Sequence, residues 1–478
     1  MSKKKIGLSS LIFMNVSALY GIRWIAKSTS SSFGLGLGAI PMWFIFAIIY
    51  FIPGALICAE LAATYKDKDG GLHDWVTEAY GEKYGFMVSW LNWTAKLFWY
   101  SSFLTFLSIN VSYAVGNPGL ADNKIFVLIF SLIVFWGLSF ISTKDIKFAK
   151  LFTNTGALGS TIPSILLILF AFLAVVVLKK IPSASTYSIQ SLTPELNANS
   201  LVAISAIVFG FTGAETLANF ITQIEKPEKN FPKAVFISAI IVASLYVLGS
   251  IAITTLMGTD EITASKGILD SLAVACQALG IPGVVIQIIA TGIAISVLGG
   301  IILYIVSPIK MLFGSVNEGI FPKKLTKINK YNVPANAVMF QSALVSLILI
   351  ATTLMPNVDT IYNILVTMTA LTSLFPYVLL FLAYIKLRKE NKSIEKSYTM
   401  TKNDFLAVNI GRFLLVVTVT CVLLTATPVM STLKDNIIYE IQMIGGGVLV
   451  IISGLMMWRR FEKSQKLSES SETLKTVK

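Results

Sequence analysis

Long apolar runs follow one another from the N-terminus almost to the C-terminus, each ended by a short polar segment. A bilayer core of ~30 Å is crossed by about 20 apolar residues in a helix. That rule places twelve spans, near residues 6–27, 38–64, 85–115, 125–142, 151–178, 201–222, 234–257, 283–314, 335–355, 358–387, 405–427 and 437–458. The fold class is therefore an all-α polytopic membrane protein of about 12 transmembrane helices. It forms one transmembrane domain over 1–460, with no separate soluble domain. A short amphipathic stretch near Leu269–Leu279 is expected to lie on the outer surface. The segment 461–478 is rich in Ser, Glu and Lys and is predicted to be a disordered cytoplasmic tail.

Composition agrees: 55% of residues are hydrophobic and only 13% are charged. The formal net charge of +13 would suit a nucleic-acid partner, but its placement argues against one. Of the 38 Lys and Arg, counting those towards a span's end with the segment it adjoins, 30 fall in alternate inter-span segments, 6 in the others, and 2 (Arg23 and Lys96) well within spans. That asymmetry is the positive-inside signature. It places both termini, and the basic loops around Lys66, Lys144, Lys226, Lys323 and Arg388, on the cytoplasmic side of the cell membrane. There they would touch anionic lipid. Cys58, Cys276 and Cys421 lie in or beside apolar runs at no metal or redox spacing, and read as core thiols. The basic start, Met1 to Lys5, leads into an apolar run with no small-residue cleavage site, so it reads as a retained first span.

Two spans are interrupted by small residues. Span 6 carries Phe209-Gly210-Phe211-Thr212-Gly213-Ala214-Glu215, and span 1 carries Ala18-Leu19-Tyr20-Gly21 followed by Arg23. Irregular backbone at membrane depth survives only where it is buried in protein or lines a cavity. Matching interruptions in two halves of a chain point to a transporter binding site. Spans 1–5 (6–178) and 6–10 (201–387) contain five helices each, and an odd number inverts the second unit relative to the first. Spans 11 and 12 (405–458) fall outside the repeat and read as periphery, or as the contact of a homodimer.

Several loop motifs then resemble those of the amino acid–polyamine–organocation (APC) transporters. Pro53-Gly54-Ala55-Leu56-Ile57-Cys58-Ala59-Glu60-Leu61 leads to Gly70-Gly71-Leu72-His73-Asp74-Trp75-Val76 and Ala79-Tyr80-Gly81, like that family's second span and inner loop. Gly210 to Glu215, followed by Glu225-Lys226-Pro227-Glu228-Lys229-Asn230-Phe231-Pro232, is similar to its sixth span and next loop. Asn317-Glu318-Gly319-Ile320-Phe321-Pro322 with Val333-Pro334-Ala335 resembles the loop after span 8. The usual first-span Gly-Ser-Gly is replaced by Ala18-Leu19-Tyr20-Gly21. Span 5 carries Gly156-Ala157-Leu158-Gly159 and Pro163, without the lysine of many sodium-independent relatives. Both features look like the glutamate/γ-aminobutyrate antiporter branch, although this tail is shorter than that branch's inner plug. The resemblance implies a five-plus-five inverted repeat with discontinuous helices 1 and 6, and amino acid transport.

A zwitterion in a low-dielectric site needs partners for both charges. A broken helix offers free N–H groups on one side of the break and free carbonyls on the other. The resemblance assigns the α-carboxylate to the backbone of Ala18, Leu19, Tyr20 and Gly21. It assigns the α-ammonium to carbonyls around Phe209, Gly210, Phe211 and Thr212, with Gly213 in the same substrate-binding stretch. It also makes Phe209 a cover over bound substrate, against the plainer reading of core packing; the same choice holds for Phe211. Tyr20 could supply a hydroxyl and a lid.

Four charged residues carry the remaining chemistry. Glu215 is either a proton carrier or a cap on the backbone of the break. Glu60 reads as a loop-anchoring salt bridge ahead of a proton path. Lys96 lies ~16 Å along span 3, near mid-membrane, on one face with Trp93 and Tyr100. It pairs with a substrate carboxylate, pairs with Glu215, or replaces a coupling cation. Arg23 either snorkels or caps a helix end, or guides an anionic substrate. His73, the single histidine, sits in an inner loop. Gly299 and Gly300 in span 8 give either substrate clearance or tight packing.

No Walker motif, zinc spacing or nucleophile–base constellation is present, so no enzyme activity, metal or cofactor is expected. The expected activity is secondary active transport by alternating access: exchange or proton coupling, independent of sodium. The expected substrate is an acidic amino acid such as glutamate, or its decarboxylation product. A neutral or cationic amino acid or amine permease is the alternative, and a non-transporting receptor of the same fold a remote one.

Overall fold

The computed structural model describes residues 5–31, 34–65, 71–144, 159, 161–195, 197–215, 223–314, 319–331, 333–390, 398–427, 429–430 and 432–476. Among them the secondary structure is helical apart from one isolated bridge. Span 1 is two helices, α1 (Leu8–Leu19) and α2 (Arg23–Thr29). Span 2 is α3 (Gly36–Thr64). The inner-loop motif forms α4 (Leu72–Tyr80), and span 3 is the 33-residue α5 (Glu82–Ala114). Then come α6 (Lys124–Ser142), α7 (Thr161–Val177) and α8 (Ala198–Gly210). They are followed by α9 (Pro227–Leu256), α10 (Gly267–Leu279) and α11 (Val284–Gly314). The chain ends with α12 (Ala335–Thr352), α13 (Val358–Glu390), α14 (Asp404–Leu424) and α15, which runs from Leu433 to Thr476 through a π segment at Ile441–Gly445.

Eight of these helices are long and apolar enough to cross a bilayer. Spans 1 and 6 give shorter helices because their backbones break at the predicted places. Much of span 5, including Gly156, Ala157 and Leu158, and residues 216–222 of span 6 lie outside the described residues. The fold is thus an all-α polytopic bundle in which the two interrupted helices stand five spans apart, as in a five-plus-five repeat.

Local chemistry explains the irregular turns. Pro53 has no N–H for the carbonyl one turn back, and its ring would crowd that turn. The chain accommodates it with the wider π turn Ala47–Phe51, whose end is marked by Ile52 N–H donating to Ala47 O. Burial separates inner from outer helices: 78% of the apolar stretch of α13 is buried, against 33% in α14 and 28% in α15. Spans 11 and 12 are therefore peripheral, and α13 and α5 are central.

The helix ends sort into two faces. On the face that carries most of the basic loops, Ile6 and Ile224 bridge, with Ile6 N–H to Gln223 O at 2.8 Å and Glu225 N–H to Ile6 O at 2.9 Å. On the same face Glu60 of α3 pairs with Arg388 of α13, and the side chain of each is 3% exposed. On the opposite face Ser31 N–H donates to Thr259 O at 2.9 Å, and Lys266 pairs with Asp122 at 2.9 Å. All three cysteines are free and buried.

The tail differs from its expectation. Instead of losing structure after Glu462, α15 continues through Thr476. Composition alone weighs against an isolated helix there, but a helix already nucleated inside the membrane extends at one hydrogen bond per residue through Glu, Lys and Leu.

Candidate functional site

α1 ends at Leu19, and Tyr20 is extended (φ −80°, ψ 127°). Tyr20 N–H still reaches Val16 O at 2.8 Å, but Gly21 N–H has no helical acceptor. It donates to the Tyr246 hydroxyl of α9 at 3.1 Å, and that hydroxyl donates to Leu19 O at 3.3 Å. One phenol thus occupies the gap in the first helix. The N–H groups of Ile22 and Arg23 donate to no acceptor among the described residues. The Tyr20 hydroxyl is committed to Ser164 Oγ of α7 at 2.5 Å. Within the predicted stretch Ala18–Gly21, the loose donor is therefore Gly21, and the free ones lie just beyond it.

The second break follows α8. Phe209 O accepts from both the backbone N–H (2.9 Å) and the hydroxyl (2.7 Å) of Thr212. The carbonyls of Gly210 and Phe211 accept no hydrogen bond among the described residues. Gly213, at φ +122°, turns the chain in a conformation that L side chains rarely adopt. Its N–H donates to the Tyr377 hydroxyl of α13 at 2.6 Å and to Glu215 Oε2 at 3.1 Å. Tyr377 in turn donates to Glu215. The carboxylate therefore caps the break, one of the two roles its position suggested. Carbonyls free on this side and N–H groups free on the other give the two breaks opposite polarity.

Aromatic rings line the space between them. Trp43 of α3 stacks on Tyr246 with centroids 3.9 Å apart. Phe211 meets Trp43 edge-on at 5.3 Å and stacks on Phe51 at 5.6 Å. Phe209, partly buried, meets Trp24 edge-on at 5.3 Å. Gly210 makes this close packing possible, since a Cβ there would sit 3.0 Å from Trp43 Cη2. The Trp43 ring is held between Tyr246 and Phe211 and by its own N–H to Ser28 Oγ at 3.0 Å. Gly210→Val is expected to destabilise the protein by about 1–3 kcal/mol, the range for overpacking, and to abolish transport. Thermal melting and proteoliposome exchange check both; an unchanged melt would show that the ring gives way freely.

The cations differ from one another. Lys96 is partly buried, with Nζ 5.2 Å from the centroid of Tyr304 and 5.9 Å from that of Trp99. No carboxylate among the described residues lies within ion-pair distance of it, so it is not paired with Glu215. Arg23 does not snorkel: it is 5% exposed, packed over Phe103 at 4.1 Å and Trp24 at 4.8 Å. Glu60 anchors a loop as expected. It pairs with Arg388 and accepts from Met400 N–H at 3.0 Å and the Tyr384 hydroxyl at 3.1 Å. His73 lies on α4, with Nδ1 2.9 Å from both Gly85 O and Ser89 Oγ. A Cβ at Gly300 would meet Phe103 and Trp99 at ordinary contact distances of 3.7 and 3.9 Å, so there is room for a methyl group there.

Sequence reasoning missed Trp43, Tyr246, Ser164 and Tyr377, and it gave Lys27 no part. Lys27 is 1% exposed and donates to Asn363 Oδ1 at 2.6 Å. Tyr377 alone left a signal, as a phenol directly after Pro376 inside an apolar span.

Comparison with known proteins agrees with this geometry. The amino acid permease family profile matches residues 6–449. An uncharacterized transporter of Legionella pneumophila is 29% identical over 453 residues, 94% of this chain and 96% of that protein. A glutamate/gamma-aminobutyrate antiporter of Lactococcus lactis is 25% identical over 404 residues, 84% and 79% of the two chains. A probable agmatine/putrescine antiporter of the same species is 24% identical over 471 residues, 98% of each. These are families of transporters rather than enzymes, whose substrates are small molecules. Two opposed helix breaks lined by aromatic rings, in a multi-pass bundle matched along nearly its whole length, place this chain in the amino acid permease family of the APC superfamily.

Proposed function

We propose that the protein is a sodium-independent amino acid exchanger, or proton-coupled carrier, whose substrate bears a carboxylate on its side chain, glutamate being the type. Lys96 is the observation that carries this reading. Its ammonium stands near mid-membrane beside Trp99 and Tyr304, with no carboxylate among the described residues within ion-pair distance. A cation at that depth needs an anion, and a substrate carboxylate supplies one. The α-carboxylate is received by the N–H groups of Ile22 and Arg23, and by Gly21 once the Tyr246 hydroxyl yields. The α-ammonium is received by the carbonyls of Gly210 and Phe211. Phe209 and Trp24 cover it. Glu215, bonded to Tyr377 and Gly213, holds the second break and is the group through which a proton would be coupled. Both termini and the basic face are cytoplasmic, in the cell membrane.

A diamine or other cationic substrate is the second reading, because Glu215 offers a partly buried carboxylate. Lys96 and Arg23 would both repel such a cation, which ranks it lower. Labelled glutamate presented to glutamate-loaded proteoliposomes tests the proposal. Exchange is expected, and it is expected to persist when choline replaces sodium. Exchange only with an amine inside and outside would support the second reading and overturn the first. A large loss in choline would overturn sodium independence.

A further inference from the structure

Arg23 stands apart from the mid-membrane lysine and is even more enclosed. Its guanidinium has five N–H donors, yet the one hydrogen bond of good geometry it makes among the described residues is Nη1 to Ser102 Oγ at 3.2 Å. Ser102 donates its own proton to Trp99 O at 2.9 Å, so it faces Arg23 as an acceptor. Against the guanidinium lies the Tyr362 hydroxyl of α13, buried and near enough to interact with Arg23, but in hydrogen-bond geometry with no described group. The acid nearest in sequence on α13 is Asp359, and it is already engaged. Oδ1 accepts from Ser265 N–H at 3.0 Å and Ser265 Oγ at 2.7 Å, and Oδ2 accepts from Asn363 at 2.9 Å. A buried cation with donors to spare and no counter-charge is costly. Its planar fork matches a carboxylate.

The two cations are separated by stacked rings. Trp99 and Phe103, one turn apart on α5, stack with centroids 3.9 Å apart. Lys96 packs on the Trp99 side and Arg23 on the Phe103 side. Arg23 thus stands toward the face opposite the basic loops, one partition away from Lys96.

We propose that Arg23, Ser102 and Tyr362 form a second carboxylate site, which holds the substrate's side-chain carboxylate before the Trp99–Phe103 pair parts and Lys96 takes it. This deepens the acidic-substrate reading and rests on it. The carboxylate accepts from the unused guanidinium N–H groups and from the Tyr362 hydroxyl. Because the site serves one approach only, its loss acts on one side of the membrane.

Glutamate exchange kinetics in oriented proteoliposomes, with substrate varied on each face in turn, test the proposal. Arg23→Gln keeps the backbone N–H that receives the α-carboxylate; it is expected to raise KM about tenfold or more for glutamate presented at the opposite face, and by clearly less at the basic face. Tyr362→Phe removes a hydroxyl that makes no hydrogen bond of good geometry among the described residues. It is expected to raise the same KM severalfold with an unchanged melting temperature, and it decides the matter if Arg23→Gln does not fold. Equal KM changes at the two faces, or none in either variant, overturn the staging site while leaving wild-type glutamate exchange intact. No glutamate exchange by the wild type overturns both this inference and the reading beneath it.

Discussion

Replacing Lys96 with Met is expected to lower kcat/KM for glutamate exchange by about 10–100-fold, with the protein still folded. A hydrogen bond to a charged group contributes about 1.5–3 kcal/mol, and each 1.4 kcal/mol is a factor of ten. The ammonium has no ion-pair partner to strand among the described residues, so its removal should leave stability nearly unchanged. Met fills a similar volume between Trp99 and Tyr304, the rings that flank Nζ at 5.9 and 5.2 Å. Exchange kinetics and a thermal melt on the same preparation separate the two effects. If glutamate exchange is undiminished, the lysine does not bind the side-chain carboxylate.

Arg388→Met should do the reverse, damaging stability far from the breaks. Arg388 and Glu60 are buried together, their side chains each 3% exposed. The guanidinium also holds Asp404 Oδ1 at 2.9 Å and Thr401 O at 2.6 Å, while Glu60 takes Met400 N–H. Removing one partner of such a pair costs about 3–5 kcal/mol, because the other charge stays buried alone. The variant is expected to melt well below the wild type. Glu60→Met combined with Arg388→Met should recover part of the loss, since two apolar groups strand no charge. If the single variant melts like the wild type, the pair does not fasten α3 to α13 and the loop beyond it.

The two helix breaks were legible because their cause is local. Glycines and a threonine inside an apolar run weaken the helix wherever they occur, and both breaks lie within a residue or two of the predicted places. What fills the breaks was not legible. Tyr246 and Tyr377 reach Gly21 and Gly213 from 225 and 164 positions away in sequence, and among 16 tyrosines nothing local distinguishes them. Trp43 is equally ordinary until Gly210 brings the backbone of α8 against its ring.

Depth was misjudged where a helix ran on. α2 continues to Thr29, and α5 and α13 enclose it. Arg23 and Lys27, which look close enough to the surface to reach water, are therefore inside. The tail misled in the same way, because composition describes an isolated segment and α15 is not isolated. Lys96 was readable as unusual from its depth alone, but that it feels Glu215 only from beyond ion-pair distance depends on how Tyr377 and Gly213 occupy that carboxylate.

Competition by glutamine against labelled glutamate in exchange tests the central claim most directly. The two substrates share their backbone groups and shape and differ by the charge on one side chain. The breaks should hold both backbones alike, so any discrimination comes from Lys96 and the site around it. Unlabelled glutamate is expected to compete fully, and glutamine at least tenfold less well. If glutamine competes as well as glutamate, the cation at mid-membrane does not read the substrate, and the assignment to acidic amino acids is wrong.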